Sequence, residues 1–224
     1  MSKHFIRAIN GIKREILSLS SLVEESLRKA MKAMSELDSE AAQMIVDTDP
    51  EIDQREVEIE EECLKILALY QPVATDLRFV VAVLKINNDL ERIADLSVNI
   101  ASRAIALSKE PNIDAAPIDE LNVLAEKVQK LFRDSLSSFI ELDTNLARKV
   151  CAADQEIDDI YKKMYKITQA EIEKNPGHSK QLINYLSVSR NLERIADHAT
   201  NIAEDVVYMT EGDIIRHRLS KKIS

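Results

Sequence analysis

Residues 90–101 read Leu90-Glu91-Arg92-Ile93-Ala94-Asp95-Leu96-Ser97-Val98-Asn99-Ile100-Ala101, and residues 192–203 read Leu192-Glu193-Arg194-Ile195-Ala196-Asp197-His198-Ala199-Thr200-Asn201-Ile202-Ala203. Nine of the twelve positions agree, six of them in an unbroken run, which chance does not produce. Within the first copy and just before it, Ile86, Leu90, Ile93 and Ile100 recur at three- and four-residue multiples, the spacing of a helix with one apolar face. Upstream the two halves match again: Asp49-Pro50-Glu51-Ile52-Asp53 with Asp154-Gln155-Glu156-Ile157-Asp158, and Glu36-Leu37-Asp38 with Glu141-Leu142-Asp143. The chain is a tandem duplication of a unit of roughly a hundred residues, the size of a small domain.

Composition fixes the class of that unit. Three glycines, five prolines and 4% aromatic residues in 224 positions are too few turn and strand formers for a β-sandwich. Abundant Ala, Leu, Glu, Lys and Ile favour long helices instead. The breakers predict helices over 3–37, 50–70, 75–109, 117–142, 153–174 and 179–211, with shorter pieces at 39–46 and 144–151. Pro50 is expected to open a helix behind an Asp49 cap, Thr75 to cap the next one, and Gly212 to end the last. Short connections make neighbouring helices antiparallel. The expectation is an all-α protein, a duplicated antiparallel three-helix bundle, with one repeat in 1–112 and the other in 113–224.

The net charge of −9 makes nucleic acid an unsuitable partner. The basic cluster Arg216, Arg218, Lys221 and Lys222 reads as a solvated terminus. Cys63 and Cys151 lie outside any CxxC pattern and read as free thiols of a reducing compartment. No signal peptide is visible after Met1, and the longest apolar stretch, Phe79 to Leu84, is too short to span a bilayer. A cytoplasmic protein without a transmembrane segment is expected, peripheral to the inner membrane only through partners.

Chemistry concentrates in four acidic pairs. Asp49/Asp53 and Glu91/Asp95 lie in the first repeat, Asp154/Asp158 and Glu193/Asp197 in the second. A spacing of four places both carboxylates of a pair on one helix face, one turn apart. Asp53 and Glu91 stand equally far from Pro72, and so do Asp49 and Asp95. Asp158 with Glu193, and Asp154 with Asp197, are likewise centred between Asn175 and Pro176. Two antiparallel helices of equal rise therefore bring the four carboxylates of each repeat to one level. Asn99 and Asn201 extend each stripe by a turn, as neutral oxygen ligands or as hydrogen-bond donors. Such a set suits a hard or borderline divalent or trivalent ion, iron, zinc, manganese or magnesium, at the rim of the bundle. The same acids could instead solvate the helices, pair with Arg92 and Arg194, or, in the case of Asp49, only cap.

Other chemistries lack their residues. A di-iron enzyme of the ferritin type needs Glu-x-x-His motifs, and His198 follows Glu193 by five; His4, His178 and His217 lie near ends or turns. Three scattered glycines build no phosphate loop, and neither cysteine has a histidine nearby. No organic cofactor and no catalytic residue is expected. A metal-dependent hydrolase and a metal-free helical scaffold remain as rival readings.

Gln71-Pro72-Val73-Ala74-Thr75-Asp76-Leu77-Arg78, the two Leu-Glu-Arg-Ile-Ala-Asp copies with their Asn-Ile-Ala sequels, and the closing Gly212-Asp213-Ile214-Ile215-Arg216-His217 together resemble the PhoU family over essentially the whole chain. The resemblance implies two three-helix bundles, often in a homodimer. It implies a negative regulator of phosphate uptake and of the phosphate-starvation regulon. Its partners would be the ATPase of the phosphate ABC transporter and a sensor histidine kinase. Some family members carry multinuclear metal clusters on acid-x-x-x-Asp motifs, which implies Glu91, Asp95, Glu193 and Asp197 as ligands here, joined by Asp53 and Asp158. The second repeat has Asn175-Pro176-Gly177-His178 at its turn, so no role of Asp76 or Arg78 transfers to that half.

Overall fold

The computed structural model describes residues 3–111, 113 and 116–214. Among them are six long helices and no strand: α1 (Lys3–Glu36), α2 (Ser39–Tyr70), α3 (Ala74–Leu107), α4 (Ala116–Glu141), α5 (Thr144–Lys174) and α6 (Ser179–Glu211). A single 3₁₀ turn, Pro176–His178, precedes α6. The basic cluster at 216–222 lies outside the described residues, as does the end of the closing motif.

The short Glu-Leu-Asp match is a stop-and-restart device. Leu37 and Leu142 take left-handed backbone, with φ of 51° and 55°. The next amide reaches back to close the helix: Asp38 N donates to Ala33 O and Asp143 N to Ser138 O, each at 3.0 Å. The aspartate then opens the following helix. Asp38 Oδ1 accepts from the amides of Glu40 and Ala41, both at 3.0 Å, and Asp143 Oδ1 from Asn145 and Leu146 at 2.9 and 3.1 Å.

These caps correct the expected boundaries. The pieces predicted at 39–46 and 50–70 are one helix, as are those at 144–151 and 153–174. Pro50 lies inside α2, and Asp49 is not a cap. An interior proline forfeits one backbone hydrogen bond. Here Ile45 and Ile52 are buried on either side of it, so packing holds the helix through the defect. Thr75 likewise does not cap α3; the cap position is Val73, which makes no side-chain bond. Gly212 ends α6 as expected, at φ 80°, its amide donating to Tyr208 O at 2.9 Å.

Within each repeat every helix packs on the other two, and α3 docks on α6 across the repeats, with α1 also touching α4. Three polar bridges set the direction of the α3–α6 contact. Lys85 Nζ lies 3.1 Å from Asp205 Oδ1, His198 Nδ1 2.8 Å from Asp89 Oδ1, and Arg103 Nη1 3.3 Å from Asn184 Oδ1. Partner numbers fall as α3 numbers rise, so the helices cross antiparallel. The bridges centre on Ile93-Ala94 against Ile195-Ala196, all four at most 1% exposed. The duplicated hexapeptide therefore meets its own copy, and the repeats share one apolar core.

Candidate metal centres: two rows of carboxylates

The first row is built from α2 and α3. Burial raises the Asp49 carboxyl above its ordinary range, and the charges of Asp53 and then Asp95 raise it further. Glu91 is raised by burial, then by Asp95, against a lowering from Arg92 and further raising by Glu56 and Asp53. Asp49 of α2 thus feels the charge of Asp95 on α3, and Glu91 of α3 feels Glu56 and Asp53 on α2. The second row repeats this on α5 and α6. Asp154 is pushed up to about 6 by burial, then by Asp197 and Asp158, although Thr200 Oγ1 donates to its Oδ1 at 3.4 Å. Burial comes first for Glu193 too, followed by Asp197, Asp158 and Asp154; for Asp197 it is followed by Asp158.

Two oxygens in the first row suit a cation. Asp49 Oδ1 and Glu91 Oε2 are buried and accept no hydrogen bond. Arg92 Nε lies 3.1 Å from that Glu91 oxygen, an ion-pair distance without hydrogen-bond geometry, and Arg92 Nη1 donates to Asp95 Oδ2 at 3.2 Å. The arginine thus spans part of the row from its exposed side. In the second row Lys162 stands 3.6 Å from Asp158. Among the described residues no three His, Cys, Asp or Glu side chains stand close enough to enclose one ion as they are placed. The two acids of each pair are one helical turn apart on their helix.

Not every residue singled out in the sequence joins a row. Asn201 donates its Nδ2 to Asp89 Oδ1 at 3.2 Å, across the repeat boundary, so it is the hydrogen-bond donor of the two roles open to it. Asn99 is exposed and joins no row, whereas Asp53 and Asp197 stand at the solvent edge of their rows, within charge range of Asp49 and Asp154. Two residues join the first row without having been singled out. Asn87, one turn before Glu91, donates its Nδ2 to Glu56 O at 2.8 Å and to Glu56 Oε1 at 3.1 Å. The signal for Asn87 was the four-residue stripe Asn87-Glu91-Asp95, but comparison of the repeats hides it because the second has Ser189 at that place; Glu56 follows Asp53 by three, and the second repeat has Tyr161 there. Buried Asp89, bridging to His198, also escaped the repeat comparison, since its counterpart is Asn191.

The pattern that defines the PhoU domain matches the chain twice, over residues 16–104 and 121–206. The chain belongs to the PhoU family. Among its relatives, a phosphate-specific transport system accessory protein PhoU homolog of Aquifex aeolicus is 38% identical, covering 96% of this chain and 97% of that one. The PhoU homolog 1 of Thermotoga maritima is 34% identical over 93% of this chain and 90% of its own. The crystal structure of PhoU from Pseudomonas aeruginosa superposes with a TM-score of 0.91 at 34% identity, covering 93% of this chain and all of that one. The fold, the duplication and the family thus agree from independent directions. Among the described residues no helix of this PhoU-family chain is long and apolar enough to cross a membrane.

Proposed function

We propose that this chain is a regulator of phosphate transport that works by binding rather than by catalysis, restraining phosphate uptake and the phosphate-starvation regulon. It would act in the cytoplasm by docking on the ATPase of a phosphate ABC transporter and on a sensor histidine kinase. The observation that carries the reading is end-to-end similarity to proteins named phosphate-specific transport system accessory proteins, at 38% identity over 96% of the chain in the Aquifex aeolicus case. Side-chain chemistry points the same way. Burial and neighbouring acids push the Cys63 and Cys151 thiols up to about 12, so neither is a nucleophile at neutral pH. His198 is engaged with Asp89.

The carboxylate rows are, on this reading, cation sites. Glu91, Asp95, Asp49 and Asp53 would hold an ion between α2 and α3, and Glu193, Asp197, Asp154 and Asp158 between α5 and α6. Oxygen donors of this kind take iron, manganese, magnesium or zinc. A bound ion supplies positive charge that offsets the repulsion among these acids. The residues' own part is to present their oxygens along facing stripes, with Arg92 covering the exposed flank of the first.

In a strain lacking the protein, a phosphate-regulon reporter is expected to stay on in rich medium; normal repression there would sink the regulatory reading. Elemental analysis of the purified protein beside Asp95→Ala and Asp197→Ala variants checks the ions. Metal in the wild type that falls in each variant is expected. A wild type without metal, even after exposure to these ions, would favour the scaffold, in which Arg92 and Lys162 neutralise the rows.

A further inference from the structure

We propose that the segment following α6, residues 215–224, occupies an apolar groove beside the end of that helix and fills it with Ile215, Leu219 and Ile223. The groove has a volume of about 340 Å³ and is walled by Ile9 and Leu17 of α1, Phe79 of α3, Ile140 and Leu142 at the α4–α5 turn, and Met209 of α6. No member of either carboxylate row lines it, so the inference does not depend on the cation reading. Ile140 and Leu142 are 58% and 51% exposed. Large aliphatic side chains gathered at a groove in this state mark a surface that something covers.

The place where α6 ends selects the cover. Met209 and Thr210 form one wall of the groove, and the helix stops two residues later at Gly212. There the left-handed backbone turns the chain against the Arg78 guanidinium, whose Nε donates to Met209 O at 3.5 Å. Arg78 stands two residues from Asp76, which lines the groove, so the chain leaves α6 at the groove's own edge. A segment tethered so closely acts at an effective concentration on the order of millimolar, an advantage that a free partner lacks.

Pattern and charge agree with position. Ile215, Leu219 and Ile223 are spaced by four, as positions on one helix face are. Their eight-residue span is about 12 Å at helical rise, the same as that from Ile9 to Leu17 along the α1 wall. Arg216, Arg218, Lys221 and Lys222 flank or oppose the stripe, and residues 215–224 contain no Asp or Glu. The rim of the groove carries Asp76 and, between Ile140 and Leu142, exposed Glu141. Lys13 of the wall is turned onto the Phe79 ring, 5.1 Å from its centroid. With the groove filled, its apolar side chains are withheld from other proteins.

Amide hydrogen exchange over residues 215–224 is read by mass spectrometry in the full-length protein and in a synthetic peptide of the same residues. Exchange in the protein is expected to be about tenfold slower than in the peptide, equally at low and high protein concentration. Ile140→Asp with Leu142→Asp, both at exposed positions, should return it to the peptide's rate, and so should Leu219→Asp. The groove is read separately through Ile140→Cys, whose thiol should react with a maleimide about tenfold faster once Leu219→Asp is added. Should the double aspartate variant fail to fold by circular dichroism, the maleimide rates decide. Exchange at the peptide's rate in the wild type, protection that survives the groove aspartates, or maleimide rates indifferent to Leu219→Asp overturns the proposal. Protection that rises with protein concentration overturns it as well, by giving the groove to a second copy of the chain.

Discussion

Asp154 shows most directly what crowding carboxylates does to a folded chain. Its carboxyl titrates near 6 when folded and near its ordinary 3.8 when unfolded, so between those values the folded state holds more protons. Stability contributed by that proton is fully present below pH 3.8 and is lost as pH rises through about 6. Without metal, the protein is therefore expected to be more stable at pH 4.5 than at pH 7, as far as this group decides. Asp154→Asn removes the penalty. After allowance for solvent screening it should stabilise the metal-free protein by about 1–2 kcal/mol at pH 7, with little effect at pH 4, in urea titrations at the two pH values. A divalent cation at pH 7 should stabilise the wild type more than this variant. The spacing of the acids was plain in the sequence; which of them would be desolvated was not, because burial depends on how deep each stripe sinks against its neighbour.

At the level of the helix, the two Glu-Leu-Asp turns and Pro50 decide where structure starts and stops. Asp38→Ala and Asp143→Ala each remove two bonds to helix-opening amides and should cost about 1 kcal/mol by denaturant unfolding. Pro50→Ala tests the corrected boundary. If α2 runs through this position, regaining the amide and losing the ring clash should stabilise it by about 1–2 kcal/mol, net of a more flexible unfolded chain. A helix that began at Pro50 would instead be weakened by the change. Local rules place Asp-Pro at a helix start, and they failed here because the strongest cap is eleven residues earlier, where Leu37 accepts a left-handed backbone. Leucine carries no mark of that conformation. The duplicated triplet did mark the position, although not its role.

For the molecule as a whole, the α3–α6 contact joins what the duplication suggests as two separate bundles. Ala94 and Ala196 at the crossing are buried, at 1% and 0% exposure. Ala196→Leu should destabilise by about 1–3 kcal/mol through overpacking. Because the core is continuous, unfolding is expected as one transition seen equally by probes in either half, and two transitions would show that the repeats fold independently. Asp89→Ala leaves His198 and Asn201 without their shared acceptor and should lower the midpoint of that single transition, by about 1–3 kcal/mol in free energy.

Helical class and duplication were decided by sequence alone, because periodicity and repetition are properties of order along the chain. Which stretches joined into continuous helices, which acids lost their water, and how Asn87 and Glu56 came to face one another were decided only by tertiary packing. So was the pairing of the duplicated hexapeptide with its own copy. Each of these depends on contacts between residues far apart in order, whose burial no local spacing encodes.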